Sequence, residues 1–101
     1  MFRTISLVQC ADHSHANAIV EAAREICGRD PNVGRVEVSV GLRLLDHPLA
    51  PQASYSIVMD FENEGAWRRY RAGAAHDEFQ ALVIPHVTSV LTTQYQVDPP
   101  P

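Results

Sequence analysis

The sequence predicts an α+β domain in which helices cover one face of a four-stranded antiparallel sheet, and three observations carry that prediction. Apolar residues recur at helical spacing between residues 16 and 27. Val36, Val38 and Val40 then alternate with Glu37 and Ser39, as a half-buried strand requires. A β-rich run, Tyr55-Ser-Ile-Val-Met-Asp-Phe61, is followed by a second helical tract and a closing strand. The order strand, helix, strand, strand, helix, strand is the split βαβ pattern of a ferredoxin-like fold. A chain of 101 residues has room for one such domain, placed at residues 1–97, with a proline tail at 98–101.

The first strand, residues 2–9, sets Ile5 and Leu7 on one face and Phe2, Thr4, Ser6 and Val8 on the other, so both faces need cover. Asp12 or Ser14 can cap the helix that follows. Its stripe of Ala16, Ile19, Val20, Ala23, Ile26 and Cys27 faces a core, and Glu21, Arg24 and Glu25 lie outside it. Asp30-Pro31-Asn32 marks a turn into the second strand. Residues 46–54, with Pro48 and Pro51, cannot pair well in a sheet and read as a loop. After the third strand, residues 54–61, two helices are expected at 64–72 and 75–90, with a kink or break at Pro85. Residues 91–97 form the fourth strand. Asp98-Pro-Pro-Pro101 reads as an extended or disordered tail.

Composition excludes several functions. The net charge is −4, the eight basic residues are scattered, and only Arg68, Arg69 and Arg71 cluster, as the solvated side of a helix. A nucleic-acid surface is therefore not expected. All eight are arginine, so no lysine is present to form a Schiff base. No apolar run approaches the roughly 20 residues of a membrane span. The N-terminus alternates polar and apolar residues without a signal-like run, which points to a cytoplasmic protein with Cys10 and Cys27 reduced. Abundant Ala and Arg without Lys suggest a GC-rich bacterial genome.

The segment from Tyr70 to Phe79 carries the most chemistry, because a phenol and an imidazole flank Gly73. In one continuous helix of about 3.6 residues per turn, six positions rotate a side chain by about 240°, and Tyr70 and His76 would diverge. If one helix ends near Arg71 with Gly73 in a left-handed cap, and a second begins near Ala75, the two can converge. In the first turn of that second helix, the positive end of the dipole would favour a neutral His76 able to act as a base.

These residues, with the strand at 2–8, the strand at 55–61 ending in an acidic stretch, and the strand opening Val90-Leu91, resemble the stress-responsive α/β-barrel family, abbreviated Dabb. The likeness spans most of the chain. It implies a homodimer in which two sheets pair into a dimeric α/β barrel, with a cavity in each subunit between sheet and helices. The spacing from Phe61 to Tyr70 and on to His76 is similar to that of a plant polyketide cyclase of the family, whose matching tyrosine and histidine are catalytic. Carried over by position, Tyr70 and His76 become the catalytic pair. Ser6, Val8, Ile57, Phe79, Val87 and Val90 become the substrate-binding wall. The implied reaction is a cofactor-independent, aldol-type cyclisation of a polyketide-like or aromatic carbonyl compound, with no metal. The chain departs from the family at Gly73-Ala74, where His-Pro is usual, and at Thr4, where a histidine is common.

Read without that resemblance, Phe79, Leu82, Val83, Val87 and Val90 form the apolar face of the last helix, and Ser6 adds a hydroxyl. An apolar cavity with a few polar groups is the usual form of a small-molecule site. The same residues also fit a plain core in which Tyr70 and His76 satisfy each other by a hydrogen bond. Three functions thus stand side by side: a cyclase, a non-catalytic stress-responsive or ligand-binding domain, and a cofactor-free monooxygenase, to which the lone Trp67 adds little. His13-Ser-His15, with only Asp12 beside it, reads as a solvated helix start rather than a metal site. His47 is expected to be exposed, and His86 fits either cavity or solvent. No glycine-rich phosphate loop, CxxC pair or hydrolase motif is present.

Overall fold

A computed structural model describes residues 1–98. The four strands are β1 (Phe2–Cys10), β2 (Val33–Val40), β3 (Tyr55–Phe61) and β4 (Val87–Gln96). The helices are α1 (Ala16–Gly28), α2 (Glu64–Arg71) and α3 (Ala74–Val83), with short 3₁₀ turns at His13–His15 and Ile84–His86. All strand pairs are antiparallel, in the order β2-β3-β1-β4, and this is the ferredoxin-like topology. Residues 99–101, most of the expected tail, lie outside the described residues.

Pairing explains which side chains meet the helices. β1 sits between β3 and β4, and Phe2, Thr4 and Val8 are buried on one face with Ile57, Met59 and Phe61 of β3. α1 lays Ala16, Ile19, Val20, Ala23, Ile26 and Cys27 against that face, and all six are buried. Its stripe coincides with the one read from the sequence. Val38 is buried beneath the helices, and Val36 and Val40 are half-buried on the same side, so the valines of β2 face the helices and leave the other sheet face to β1, β3 and β4.

The opposite face carries no helix. Leu7 stands opposite Leu91, Ile5 opposite Val58 and Thr93, and Arg3 opposite Asp60 and Tyr95. Leu7, Leu91 and Tyr95 are exposed there. The Asp60 carboxylate is buried and held by Arg3 through Nε at 2.7 Å and Nη2 at 3.1 Å. These bonds keep its pKa below the usual carboxylate range.

Three expectations are corrected. The last helix ends at Val83, because Pro85 lacks an amide hydrogen and clashes with the preceding turn, and β4 begins at Val87 rather than Leu91. Val87 and Val90 therefore belong to β4. Gly73 is not left-handed: at φ −96°, ψ 170° it is the extended N-cap of α3. Close packing is what a side chain would disturb there, since a Cβ would lie 3.3 Å from Asp30 Oδ2 and 3.3 Å from the Tyr70 carbonyl oxygen. The loop between β2 and β3 is longer than expected, spanning residues 41–54, and exposes Leu42, Leu44, Leu45 and Leu49.

Candidate functional site

α2 packs on β2 and β3, and α3 packs on α1, while β4 is left almost wholly exposed. A cavity of about 300 Å³ opens between α2, α3 and strands β1, β3 and β4. Asn63 caps α2 through its side-chain oxygen, which accepts from Ala66 N at 2.9 Å. That fixes the phase of a helix whose buried residues are Ala66 and Tyr70. Two positions separate the helical spans, Ala72 and Gly73, and the turn brings Tyr70 and His76 into edge-to-face contact, with ring centroids 5.4 Å apart. Both line the cavity, with Ser6, Ile57, Phe79 and Val90. Val8 and Val87 instead border an adjoining cavity of about 200 Å³, which shares Ser6, Ile57, Phe79 and Val90 with the first.

The pair does not share a hydrogen bond. Tyr70 Oη donates to Cys27 Sγ at 3.4 Å, and its phenol is driven to a higher pKa by burial and by that bond, so it stays protonated. Burial also raises the Cys27 thiol, which behaves as a weak neutral partner rather than a nucleophile. His76 shifts the other way. Burial lowers its pKa, the nearby Arg71 cation lowers it further, and Asp77 opposes both. His76 Nδ1 is buried with no hydrogen-bond partner, and the nearest carboxylate oxygen, Asp77 Oδ1, is 3.8 Å away.

The sheet side of the cavity is more polar than expected. Ser6 Oγ donates to Thr92 Oγ1 at 3.1 Å, and Gln94 Nε2 donates to Thr92 Oγ1 at 2.9 Å and to Thr4 Oγ1 at 3.5 Å. Sequence reasoning missed Thr92 and Gln94 because Val90 was placed on a helix. On a strand, the period of two from Val90 leads directly to both. Arg71, Trp67, Gln80 and Cys27 were also missed as lining residues. Arg68, Arg69 and Arg71 are all exposed, as the solvated side of a helix requires, but Arg71 alone of the three also borders this cavity; Arg68 Nε bonds Glu64 Oε2 at 2.8 Å and Arg69 Nε bonds Asn32 Oδ1 at 3.0 Å.

The remaining histidines lie elsewhere. His15 and His86 stack edge to face with centroids 4.6 Å apart, and neither lines the Tyr70 cavity. His13 is half-buried beside the 41–54 loop, and His47 is exposed within it. Asp12 caps the 3₁₀ turn by accepting from Ser14 N at 2.9 Å. Among the described residues, no three His, Cys, Asp or Glu side chains are grouped as metal ligands, and no helix is long and apolar enough to cross a membrane. Cys10 and Cys27 are free thiols.

Solved structures place this architecture among known folds. A dimeric ferredoxin-like protein of unknown function from Thermobifida fusca superposes with a TM-score of 0.81 at 18% identity, over 95% of this chain and 90% of that one. A Dabb family protein from Mesorhizobium loti gives 0.78 at 19% identity, over 95% of both chains. The chain has the ferredoxin-like fold of the Dabb proteins. An antibiotic biosynthesis monooxygenase shares the fold as well, at a TM-score of 0.69 and 11% identity, over 98% of this chain and 100% of that one. No protein-family model matches the sequence, and no curated protein matches it significantly.

Proposed function

We propose that this chain is a homodimeric, Dabb-type cyclase or lyase that closes a ring in a poly-β-ketone or related carbonyl compound by aldol chemistry. The observation that carries this reading is the placement of a depressed-pKa imidazole and a neutral phenol on the wall of one cavity, with a ladder of hydroxyl and amide groups facing them. His76 would remove a proton from a carbon already acidified by two carbonyls. The resulting enolate carbon would attack a distant carbonyl carbon, forming the C–C bond as that C=O becomes an alkoxide. The alkoxide would take its proton from the imidazolium, or from Tyr70 with the imidazolium then returning a proton to the phenolate, so that both groups end neutral. Thr92 and Gln94 are placed to orient the chain. No electron is gained or lost overall, so no redox cofactor is called for.

Cavity size supports a ligand site over a core filled by its own side chains, since about 300 Å³ lies at the small end of the range for ligand pockets, roughly 300–1,000 Å³. The dimer is supported by the uncovered apolar face of the sheet and by the dimeric description of the Thermobifida protein. A second reading, a cofactor-free monooxygenase, is supported by the fold shared with the antibiotic biosynthesis monooxygenase and by Trp67 lining the cavity.

Incubating the protein with a panel of linear poly-β-ketones, and following ring closure by mass spectrometry and oxygen by electrode, separates these readings. Cyclisation without oxygen uptake, lost by about 10²–10⁴-fold in His76→Ala with the fold intact, is the expected result. Oxygen consumption tied to product would favour the monooxygenase. Turnover unchanged in His76→Ala would remove His76 as the base.

A further inference from the structure

The charged side chains that line the cavity are of one sign, although Asp77 approaches His76 to 3.8 Å from outside the lining. The chain has twelve acidic residues against eight arginines, yet no Asp or Glu lines this cavity, whereas Arg71 does. Most other arginines are neutralised: Arg3, Arg24, Arg29, Arg35 and Arg68 each pair with a carboxylate. Among the described residues Arg71 has no such partner. Its guanidinium carbon lies 5.6 Å from the centroid of the Trp67 ring, a contact that does not use up the in-plane N–H donors. Those donors form a flat fork whose geometry matches a carboxylate. Arg71 follows Tyr70 directly in sequence and acts electrostatically on both Tyr70 and His76, so an anion held by it would lie within reach of the pair.

We infer that the cavity takes a small organic anion whose carboxylate seats on the Arg71 guanidinium, with its carbonyl-bearing body lying along the Thr92–Gln94 side toward His76. This rests on the cavity being a ligand site, and it narrows the substrate class to carboxylate-bearing carbonyl compounds. Trp67 and Phe79 supply the apolar surface for a flat body, and the cavity volume restricts that body to a compact one. Arg71 then serves as an anchor for the non-reacting end, and its binding energy places the reacting carbon.

The test uses benzoate and its neutral near-isostere benzamide, titrated into isotopically labelled protein while backbone amide shifts are followed by NMR. Benzoate is expected to move the amides of Arg71, His76 and Phe79 and to bind about tenfold more tightly than benzamide. Arg71→Gln should abolish that preference. Arg71→Lys, which keeps the charge and loses the fork, should retain part of it. Equal affinity for the two probes, an undiminished preference in Arg71→Gln, or no benzoate binding up to its solubility limit would each overturn the anion site. Binding is read without turnover, so a lost preference with cavity shifts still present removes only the anion and leaves Tyr70 and His76 as proposed. Benzoate bound with no shift at Tyr70 or His76 would remove the cavity as the ligand site as well.

Discussion

The rings of Tyr70 and His76 meet edge to face at 5.4 Å, yet the Tyr70 hydroxyl turns away from the imidazole to donate to Cys27 Sγ at 3.4 Å. The two side chains share a cavity wall without sharing a proton. A mutual hydrogen bond would have consumed the donor of one and a lone pair of the other, as in a satisfied core. Instead the phenol rests on a soft, weak acceptor that a carbonyl oxygen can outcompete. Burial sharpens the contrast by holding both groups neutral, the phenol through a raised pKa and the imidazole through a lowered one.

Tyr70→Phe should therefore separate stability from catalysis. The deleted hydroxyl makes one bond to a thiol, so the expected loss of stability is about 0.5–1.5 kcal/mol, measured by urea unfolding. The rate of carbonyl chemistry should fall by more than that energy converts to. A variant that loses several kcal/mol of stability would mark Tyr70 as a packing residue first.

His76 also predicts a pH dependence of stability. In the folded chain it binds a proton more weakly than in the unfolded chain, mainly through burial and then through Arg71. As pH falls below the ordinary histidine value of about 6.5, the unfolded state takes up the proton first, and stability falls. The decline stops once the folded imidazole titrates too. His76→Gln should lack this component, so the stability difference between native and variant should shift against the native chain on going from about pH 7.5 to pH 5. A native chain that gains stability relative to the variant over that range would contradict the assigned direction.

Much of the fold could be read from the sequence because its signals are local: the α1 stripe, the alternation in β2 and the β-rich run of β3 each declare their period within one turn or a few residues. The site was legible less evenly. Gly73 correctly marked a break, but for the wrong reason, since the need there is space beside Asp30 and Tyr70 rather than a left-handed backbone. Val83 to Val90 was misread because a short apolar run fits either period, and only the place where Pro85 stops the helix decides it. The omission of Thr92 and Gln94 followed from that error. Arg71 could not be told from Arg68 and Arg69 by sequence, since what distinguishes it is the absence of a partner 4 or 37 positions away of the kind that Arg68 and Arg69 possess.

Gly41 is expected to be the least replaceable glycine of the fold. Its amide donates to the Ser54 carbonyl oxygen at 2.8 Å, and a Cβ there would collide with the Ala53 carbonyl oxygen, so backbone must move. Gly41→Ala should cost about 1–3 kcal/mol, as overpacking does. Gly28→Ala provides the contrast, because its nearest neighbour would be Val36 Cγ1 at 3.9 Å, and the added methyl suits the last turn of α1. Thermal melts of the two variants should diverge, with Gly41→Ala lower than native and Gly28→Ala near it.

The last prediction concerns the face of the sheet that no helix covers. Leu7 and Leu91 are directly opposed across β1 and β4, at 43% and 72% exposure, with Ile5, Val58 and Tyr95 on the same side. Apolar side chains aligned on neighbouring strands form a continuous surface, and water contact with such a surface is the cost that a second copy would remove. A stable pair buries roughly 1,200–2,000 Å² in total, which one sheet face from each copy can supply. Light scattering at micromolar concentration should give about twice 11.2 kDa. Leu91→Asp should shift the population to monomer, because two copies of the variant would bury a carboxylate from each side without a cationic partner. A native chain that stays monomeric at tens of micromolar, or a Leu91→Asp variant that remains as firmly dimeric as the native chain, would move the interface off this face.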